Sequence, residues 1–140
     1  MGWQAVRITA DTNLLVRFVV RDDPAQAATA FKILTQAEFL VMPLPCLCEL
    51  AWVLGRIYKF PRDRIASAIR ILTDSANAVT DMAAVEAGLR VHDVGGDFAD
   101  GVIAAAGSAM GADMFVSFDR KAIERIAGLG IAARHADALS

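Results

Sequence analysis

Short apolar runs alternate with longer amphipathic stretches along this chain of 140 residues. The short runs are typical of β-strands, and the longer stretches place apolar side chains at helical spacing. The pattern predicts strands at residues 5–10, 39–42, 77–80, 114–118 and 131–134. It predicts helices at residues 12–21, 24–37, 47–58, 61–74, 82–93, 97–110 and 120–127. Strands that alternate with helices indicate an α/β fold with a mostly parallel sheet of four to five strands, in one domain over residues 1–140.

Proline and acidic residues mark several of the predicted helix starts. Pro24 suits the first turn of the second helix, with Asp23 as its N-cap. Pro43 and Pro45 are expected to end the second strand, so that the third helix begins at Leu47. This boundary places Glu49 in the first turn of the third helix.

Two acids stand directly after predicted strands. Asp11 follows the first strand, with Thr12 and Asn13 behind it, and Asp119 follows the fourth. Ligands of open α/β sheets bind at the carboxyl ends of the strands, so the two carboxylates converge if their strands are neighbours. Asp and Thr are also common helix N-caps, and capping is the plain alternative for Asp11.

A second pair of acids, Asp97 and Asp100, stands three residues apart at the start of the sixth predicted helix. Residues at this spacing share a helix face. Asp97 occupies the position of an N-cap, whereas capping does not explain Asp100. Together with Glu49, these acids are candidates for one acidic site.

Carboxylates gathered in one site repel one another, and their pKa values rise. A divalent cation removes this penalty, and hard cations such as Mg²⁺ prefer oxygen ligands. Sites of this kind hydrolyse phosphodiesters by activating a bound water and holding the attacking and leaving oxygens. We therefore expect Mg²⁺ or Mn²⁺ at Asp11, Glu49, Asp100 and Asp119.

Charge and hydropathy narrow the choice of partner and compartment. The formal net charge is −2, and without the four acids the chain has 14 basic and 12 acidic residues, which permits a nucleic-acid substrate. A mean hydropathy of +0.43 favours a homodimer or another protein partner. No apolar run reaches the ~18 residues of a membrane span, and no signal peptide is evident, so we expect a cytoplasmic protein. Candidate anchors for a partner are Phe18, Phe31, Trp52 and Leu54.

The remaining polar and reactive residues indicate a function less clearly than the acids do. Cys46 and Cys48 have no Cys or His cluster around them, so we interpret both as core residues with reduced thiols. Basic residues near the junction of the third and fourth helices either contact RNA phosphates or form a solvated face; they are Arg56, Lys59, Arg62 and Arg64. Arg120 and Lys121, beside Asp119, are better placed to meet a phosphate.

Four segments, in order, carry a family resemblance. They are Asp11-Thr12-Asn13-Leu14-Leu15, Glu49-Leu50, the segment 97–106 of sequence DFADGVIAAA, and Phe115-Val116-Ser117-Phe118-Asp119-Arg120. This ordered set resembles the PIN domain, and within it the small VapC-type toxins of bacterial toxin–antitoxin pairs. The resemblance implies an α/β/α sandwich with a parallel sheet, metal-dependent endoribonuclease activity, and a cognate antitoxin that blocks it.

The resemblance also implies roles for individual residues. Asp11, Glu49, Asp100 and Asp119 match the four acids of the family in that order. Ser117 matches the small hydroxyl residue that accompanies the fourth acid. Asp97 is an accessory neighbour, as are Thr12 and Asn13. Gly101 stands where the family usually has Ala, and glycine weakens a helix interior by about 1 kcal/mol.

Functions of other classes fit the sequence less well. A non-catalytic module of the same fold, which only docks an antitoxin or RNA, has no need of four acids. A phosphatase of the haloacid-dehalogenase type requires a second Asp where Asn13 stands. A dinucleotide-binding domain requires a glycine fingerprint that the chain lacks.

Overall fold

A computed structural model describes residues 6–140 of the chain. The predicted first residue of strand one, Ala5, lies outside the described residues. The chain divides into two compact units, an N-terminal unit described for residues 6–81 and a C-terminal unit, Met82–Ser140. The prediction of one domain over residues 1–140 stays a prediction.

The N-terminal unit has a parallel sheet with helices between its strands. Its elements are β1 (Arg7–Thr9), α1 (Thr12–Val20), α2 (Pro24–Gln36), β2 (Phe39–Val41), α3 (Leu44–Arg56), α4 (Arg62–Thr73) and β3 (Ala78–Val79). β2 lies between β1 and β3, and Leu40 is paired with Ile8 on one side and Ala78 on the other. Leu40 is buried, whereas Ile8 and Ala78 are half-buried. The core is mostly leucine and isoleucine; its fully buried members include Leu15, Leu47, Leu50, Leu54 and Ile69.

The start of α3 differs from the prediction. The helix begins at Leu44, three residues earlier than expected, with Pro43 at the N-cap and Pro45 in the first turn. Proline fits these positions because the first backbone N–H groups of a helix have no partner within it. Glu49 consequently lies in the second turn of α3, and its predicted place in the first turn is wrong.

The C-terminal unit holds the remaining two strands. Its elements are α5 (Met82–Asp93), α6 (Phe98–Ala109), β4 (Phe115–Ser117), α7 (Arg120–Ala127) and β5 (Ala133–His135), followed by a short 3₁₀-helix (Ala136–Leu139) that the pattern did not predict. β4 and β5 pair in parallel, with Val116 opposite Arg134. All pairings among the described strands are thus parallel, which confirms the predicted α/β class.

Two glycines bring α5 and α6 unusually close together. A Cβ atom added at Gly101 on α6 would collide with the backbone of Ala87 and would lie 2.7 Å from the Cα of Gly88 on α5. At Gly88, an added Cβ would lie 2.7 Å from the ring of Phe98. The glycine at position 101, where alanine is usual, therefore permits contact between the two helix backbones.

The predicted surface anchors are confirmed only in part. Trp52 and Phe31 are more than half exposed, at 56% and 53%. Phe18 is half-buried and stacks on Phe31 with 6.4 Å between ring centroids. Leu54 is fully buried, so its prediction as an exposed anchor is wrong; it lies on the inner face of α3 with Leu47 and Leu50.

Both cysteines are reduced thiols, as predicted, but they are half-buried and not in the core. The Cys46 thiol donates a hydrogen bond to the carbonyl oxygen of Ala10, at 3.3 Å. None of the helices described between residues 6 and 140 combines the length and apolar character needed to span a bilayer.

Candidate active site

Asp97 and Asp119 are N-caps in the C-terminal unit. Asp97 Oδ1 accepts a hydrogen bond from the Ala99 amide at 3.1 Å, at the start of α6. Asp119 Oδ1 accepts bonds from the amides of Lys121 and Ala122, at 3.0 and 3.2 Å, at the start of α7. Capping is therefore confirmed for Asp97, and it also applies to Asp119. In each carboxylate the other oxygen is not used by the cap.

Asp100 lies in the first turn of α6 and is half-buried. Burial raises the pKa of its carboxyl group, and the charges of Asp97 and Asp119 raise the pKa further. The charge of Arg125 on α7 acts in the opposite direction. These effects require proximity, so the C-terminal unit gathers two other acids and one arginine around the carboxylate that capping does not explain.

Ser117 supports the fourth acid of the predicted set. Its hydroxyl oxygen accepts a hydrogen bond from the Asp119 amide at 3.0 Å. The backbone of Asp119 is thus held from one side by Ser117, and its carboxylate is held from the other by the first turn of α7. This arrangement restricts the orientation of the Asp119 side chain.

In the N-terminal unit, Asp11 stands at the N-cap position of α1 in an extended conformation, with φ −78° and ψ 154°. Its carboxylate makes no capping hydrogen bond, and the side chain is exposed. The plain alternative for Asp11, helix capping, is therefore wrong. The neighbouring Thr12 is buried.

Asp11 opens onto a groove of about 450 Å³ between α1 and α2. Asn13, Leu14 and Arg17 line it from α1, and Gln26 and Thr29 contribute from α2. The Asn13 side-chain oxygen accepts a long hydrogen bond of 3.4 Å from Arg17 Nε. Asn13 thus faces the same groove as Asp11, and its accessory role stays a prediction.

Sequence reasoning missed Arg17. Its guanidinium bonds Asp22 at 2.6 Å and the hydroxyl of Tyr58 at 3.1 Å. These contacts tie α1 to the segment that follows α3. The available signal was a single arginine among the apolar residues of α1, in the sequence TNLLVRFVV.

Glu49 is exposed on α3, between the buried Leu47 and Leu50. Its position relative to the acids of the C-terminal unit stays a prediction.

The surroundings of the two histidines point to a role in the fold. His92 is buried, and His135 Nδ1 accepts a hydrogen bond from the Asp137 amide at 3.2 Å.

The donor chemistry suits a hard cation, although the described residues of either unit bring no three His, Cys, Asp or Glu side chains close enough to enclose one. All candidate donors are oxygens, which Mg²⁺ and Mn²⁺ prefer. Burial, and then the like charges of Asp97 and Asp119, raise the pKa of Asp100, and a bound cation would favour its charged form. The residues present therefore fit a divalent metal with a partly aqueous shell.

Comparison with known proteins identifies the family of the chain. No curated protein matches the chain. The PIN domain family, however, matches residues 8–129, a span that contains every candidate acid named above. The match confirms the predicted α/β/α fold class. The chain therefore belongs to the PIN domain family, whose members are generally nucleases.

Proposed function

We propose that this protein is an endoribonuclease that hydrolyses RNA phosphodiester bonds with Mg²⁺ or Mn²⁺, and that it acts as the toxin of a toxin–antitoxin pair. The observation that carries the proposal is the placement of Asp97, Asp100 and Asp119 at the starts of α6 and α7, in a chain that matches the PIN domain family. Burial and the charges of the other two acids raise the pKa of Asp100. A half-buried carboxylate beside two like charges is unfavourable unless a cation binds there. Divalent metal ions are generally used by PIN domains.

Asp100 and Asp119 are the proposed metal ligands in the C-terminal unit. Asp11 and Glu49 are proposed as further ligands because they match the remaining acids of the family. A bound Mg²⁺ or Mn²⁺ would supply an activated water and neutralise charge on the scissile phosphate. Asp119 is suited to this role because two amides fix its carboxylate and Ser117 fixes its backbone.

Single-stranded or looped RNA is the proposed substrate. Double-stranded RNA presents its bases and backbone in a fixed A-form shape, whereas unpaired nucleotides are easily splayed into a narrow site. Asp119 stands at the start of α7, next to the exposed basic residues Arg120 and Lys121. Such cations can position the phosphates on either side of the bond to be cleaved.

The partners that we propose are a cognate antitoxin and a second copy of the chain. Support comes from the large apolar side chains that the N-terminal unit exposes, among them Phe31, Trp52, Ile57 and Ile71. Exposed aromatic and aliphatic side chains of this size commonly serve as interface anchors. An antitoxin that covers the acids would explain how the cell tolerates the nuclease.

The test is cleavage of a labelled single-stranded RNA by purified protein, with Mg²⁺, with Mn²⁺ or in EDTA. Cleavage should require metal, and Asp11→Asn should reduce the rate by orders of magnitude because it removes one ligand charge but keeps the shape. Asp113→Asn is the matched control, since Asp113 is exposed in the loop before β4. Cleavage that persists in EDTA, or an Asp11→Asn variant as active as the parent, contradicts the mechanism.

A further inference from the structure

A basic pocket lies beside the acids of the C-terminal unit. It has a volume of about 520 Å³ and is lined by Arg90 and Val94 on one side and by Lys121, Glu124 and Arg125 on the other. Three cations face it with a single carboxylate. This charge excess differs sharply from the acidic surroundings of Asp100.

Two of the three cations have no ion-pair partner in the described part of the chain. Among the described residues, neither Arg90 nor Lys121 forms an ion pair within 4.0 Å. Lys121 and Arg125 are four residues apart on α7, a spacing at which like charges destabilise a helix. A cation near the C-terminus of α5 or α7 interacts favourably with the dipole of that helix. The helix dipoles do not explain, however, why three cations line one cavity.

Arg125 links the pocket to the acids. It lines the cavity, and its charge also lowers the pKa of Asp100. Its side chain passes close over the loop between α5 and α6: a Cβ atom added at Gly96 would lie 2.6 Å from the Arg125 Cδ. An anion in the pocket therefore lies next to the acidic site, with Arg125 between them.

We propose that this pocket binds a backbone phosphate of the nucleic-acid strand, adjacent to the phosphate that is cleaved. The planar guanidinium groups of Arg90 and Arg125 suit the oxygens of a phosphate, while Val94 and Leu129 provide apolar surface for the attached ribose or base. The proposal that the pocket binds phosphate rests on the pocket alone. The proposal that this phosphate belongs to the substrate rests on the nuclease function proposed above. Arg90 is the positioning residue, because it lines the pocket from α5 without acting on Asp100.

The experiment measures binding without cleavage. A fluorescein-labelled single-stranded RNA is titrated with the intact chain in EDTA, over a range of salt concentrations, and anisotropy is recorded. Arg90→Gln should weaken binding several-fold and reduce the slope of log affinity against log salt by about 0.7, the contribution of one phosphate contact to a single strand. Arg90→Lys should restore most of the affinity, since it retains the charge.

Arg134→Gln is the matched control, because Arg134 is exposed on β5 and does not line the pocket. It should bind RNA with the affinity and salt slope of the parent. Thermal melts of all variants establish that they are folded. If Arg90→Gln binds RNA like the parent, the subsite is wrong even when metal-dependent cleavage by the parent is intact.

Two further outcomes separate the subsite from its alternatives. Inorganic phosphate should displace the RNA only at millimolar concentration or above; displacement at micromolar concentration would assign the pocket to a free anion and overturn the proposal. Absence of cleavage by the parent in Mg²⁺ and Mn²⁺, together with Arg90-dependent RNA binding, would reject the nuclease function and leave the phosphate site standing.

Discussion

Asp100 has two properties that both disfavour its charged form in the folded chain without metal. Its carboxylate is half-buried, and two like charges lie near it. Both properties favour the protonated form, so its pKa in the folded state exceeds the ordinary value of 3.8. Between the unfolded and the raised folded pKa, the folded state binds more protons, and stability falls as pH rises.

Replacement of this carboxylate should therefore increase the stability of the metal-free protein and decrease its activity. Asp100→Asn should reduce RNA cleavage by orders of magnitude, because a proposed metal ligand is lost. In EDTA at neutral pH it should raise the melting temperature, because the unfavourable charge is gone. Cleavage assays and thermal melts check the two effects, and a lower melting temperature would contradict this account of Asp100.

The pH dependence offers an independent check. Without metal, the difference in free energy of unfolding between Asp100→Asn and the parent should be largest above the folded pKa of Asp100. It should shrink as pH falls through that pKa, because the parent carboxyl group becomes neutral. Denaturant unfolding at several pH values measures the difference. A difference independent of pH would show that charge is not the cause.

Sequence patterns could indicate the acids but not their local roles. Asp11, Asp97 and Asp119 all precede helices, and all three were consistent with capping. The structure divides them: Asp97 and Asp119 accept helix amides, whereas Asp11 does not. A capping bond depends on the side-chain rotamer as well as on position, and a one-dimensional pattern holds no information on rotamers.

At the scale of elements, the helix cap at Asp97 predicts different losses of stability for two substitutions. Asp97→Asn should keep the bond to the Ala99 amide and leave stability nearly unchanged, whereas Asp97→Ala should cost about 1 kcal/mol. Asp97→Asn should also retain far more cleavage activity than Asp100→Asn. Chemical denaturation and the cleavage assay measure these effects, and equal loss of activity in both Asn variants would make Asp97 a metal ligand.

The close contact between α5 and α6 predicts the effect of a substitution at position 101. Alanine is a better helix former than glycine by about 1 kcal/mol, yet Gly101→Ala should destabilise the protein by about 1 to 3 kcal/mol because its methyl group collides with the Ala87 backbone. The measurement is the free energy of unfolding in urea.

Gly107 provides the matched control on the same helix. An added Cβ there would meet its nearest neighbour, Ala112 Cβ, at an ordinary 3.9 Å. Gly107→Ala should therefore stabilise α6 by up to about 1 kcal/mol. If the two variants change stability in the same direction, helix propensity and not the close contact decides the effect.

Most element boundaries follow from periodicity and turn residues, and the exceptions have physical causes. α3 starts early because proline is accepted in a first turn as readily as it ends a strand. Leu54 and Trp52 are both apolar residues of α3, but only the position of neighbouring helices decides that one is buried and the other exposed. The basic pocket was missed because Arg90 and Arg125 meet only in three dimensions.

For the whole molecule, the exposed apolar side chains bear on association. Trp52 is 56% exposed on α3. If it anchors the proposed homodimer, Trp52→Ser should shift the protein toward monomer in light scattering at matched concentration. Met110→Ser is the control, since Met110 is 88% exposed just after α6. A parent protein that is monomeric at high concentration would contradict the dimer.

The backbone contact at Gly88 and Gly101 also has a kinetic consequence. At Gly101 no side chain separates α6 from the Ala87 backbone of α5, and the Phe98 ring covers Gly88, so the neighbouring amides are shielded from water while the two helices stay packed. Amides of α6 near Gly101 should then be among the slowest in the C-terminal unit to exchange with deuterium. Asp100 is next in sequence to that contact, so we expect its carboxylate to lie in a segment that rarely unfolds locally. Local fluctuations of the surrounding loops would leave the acid in place.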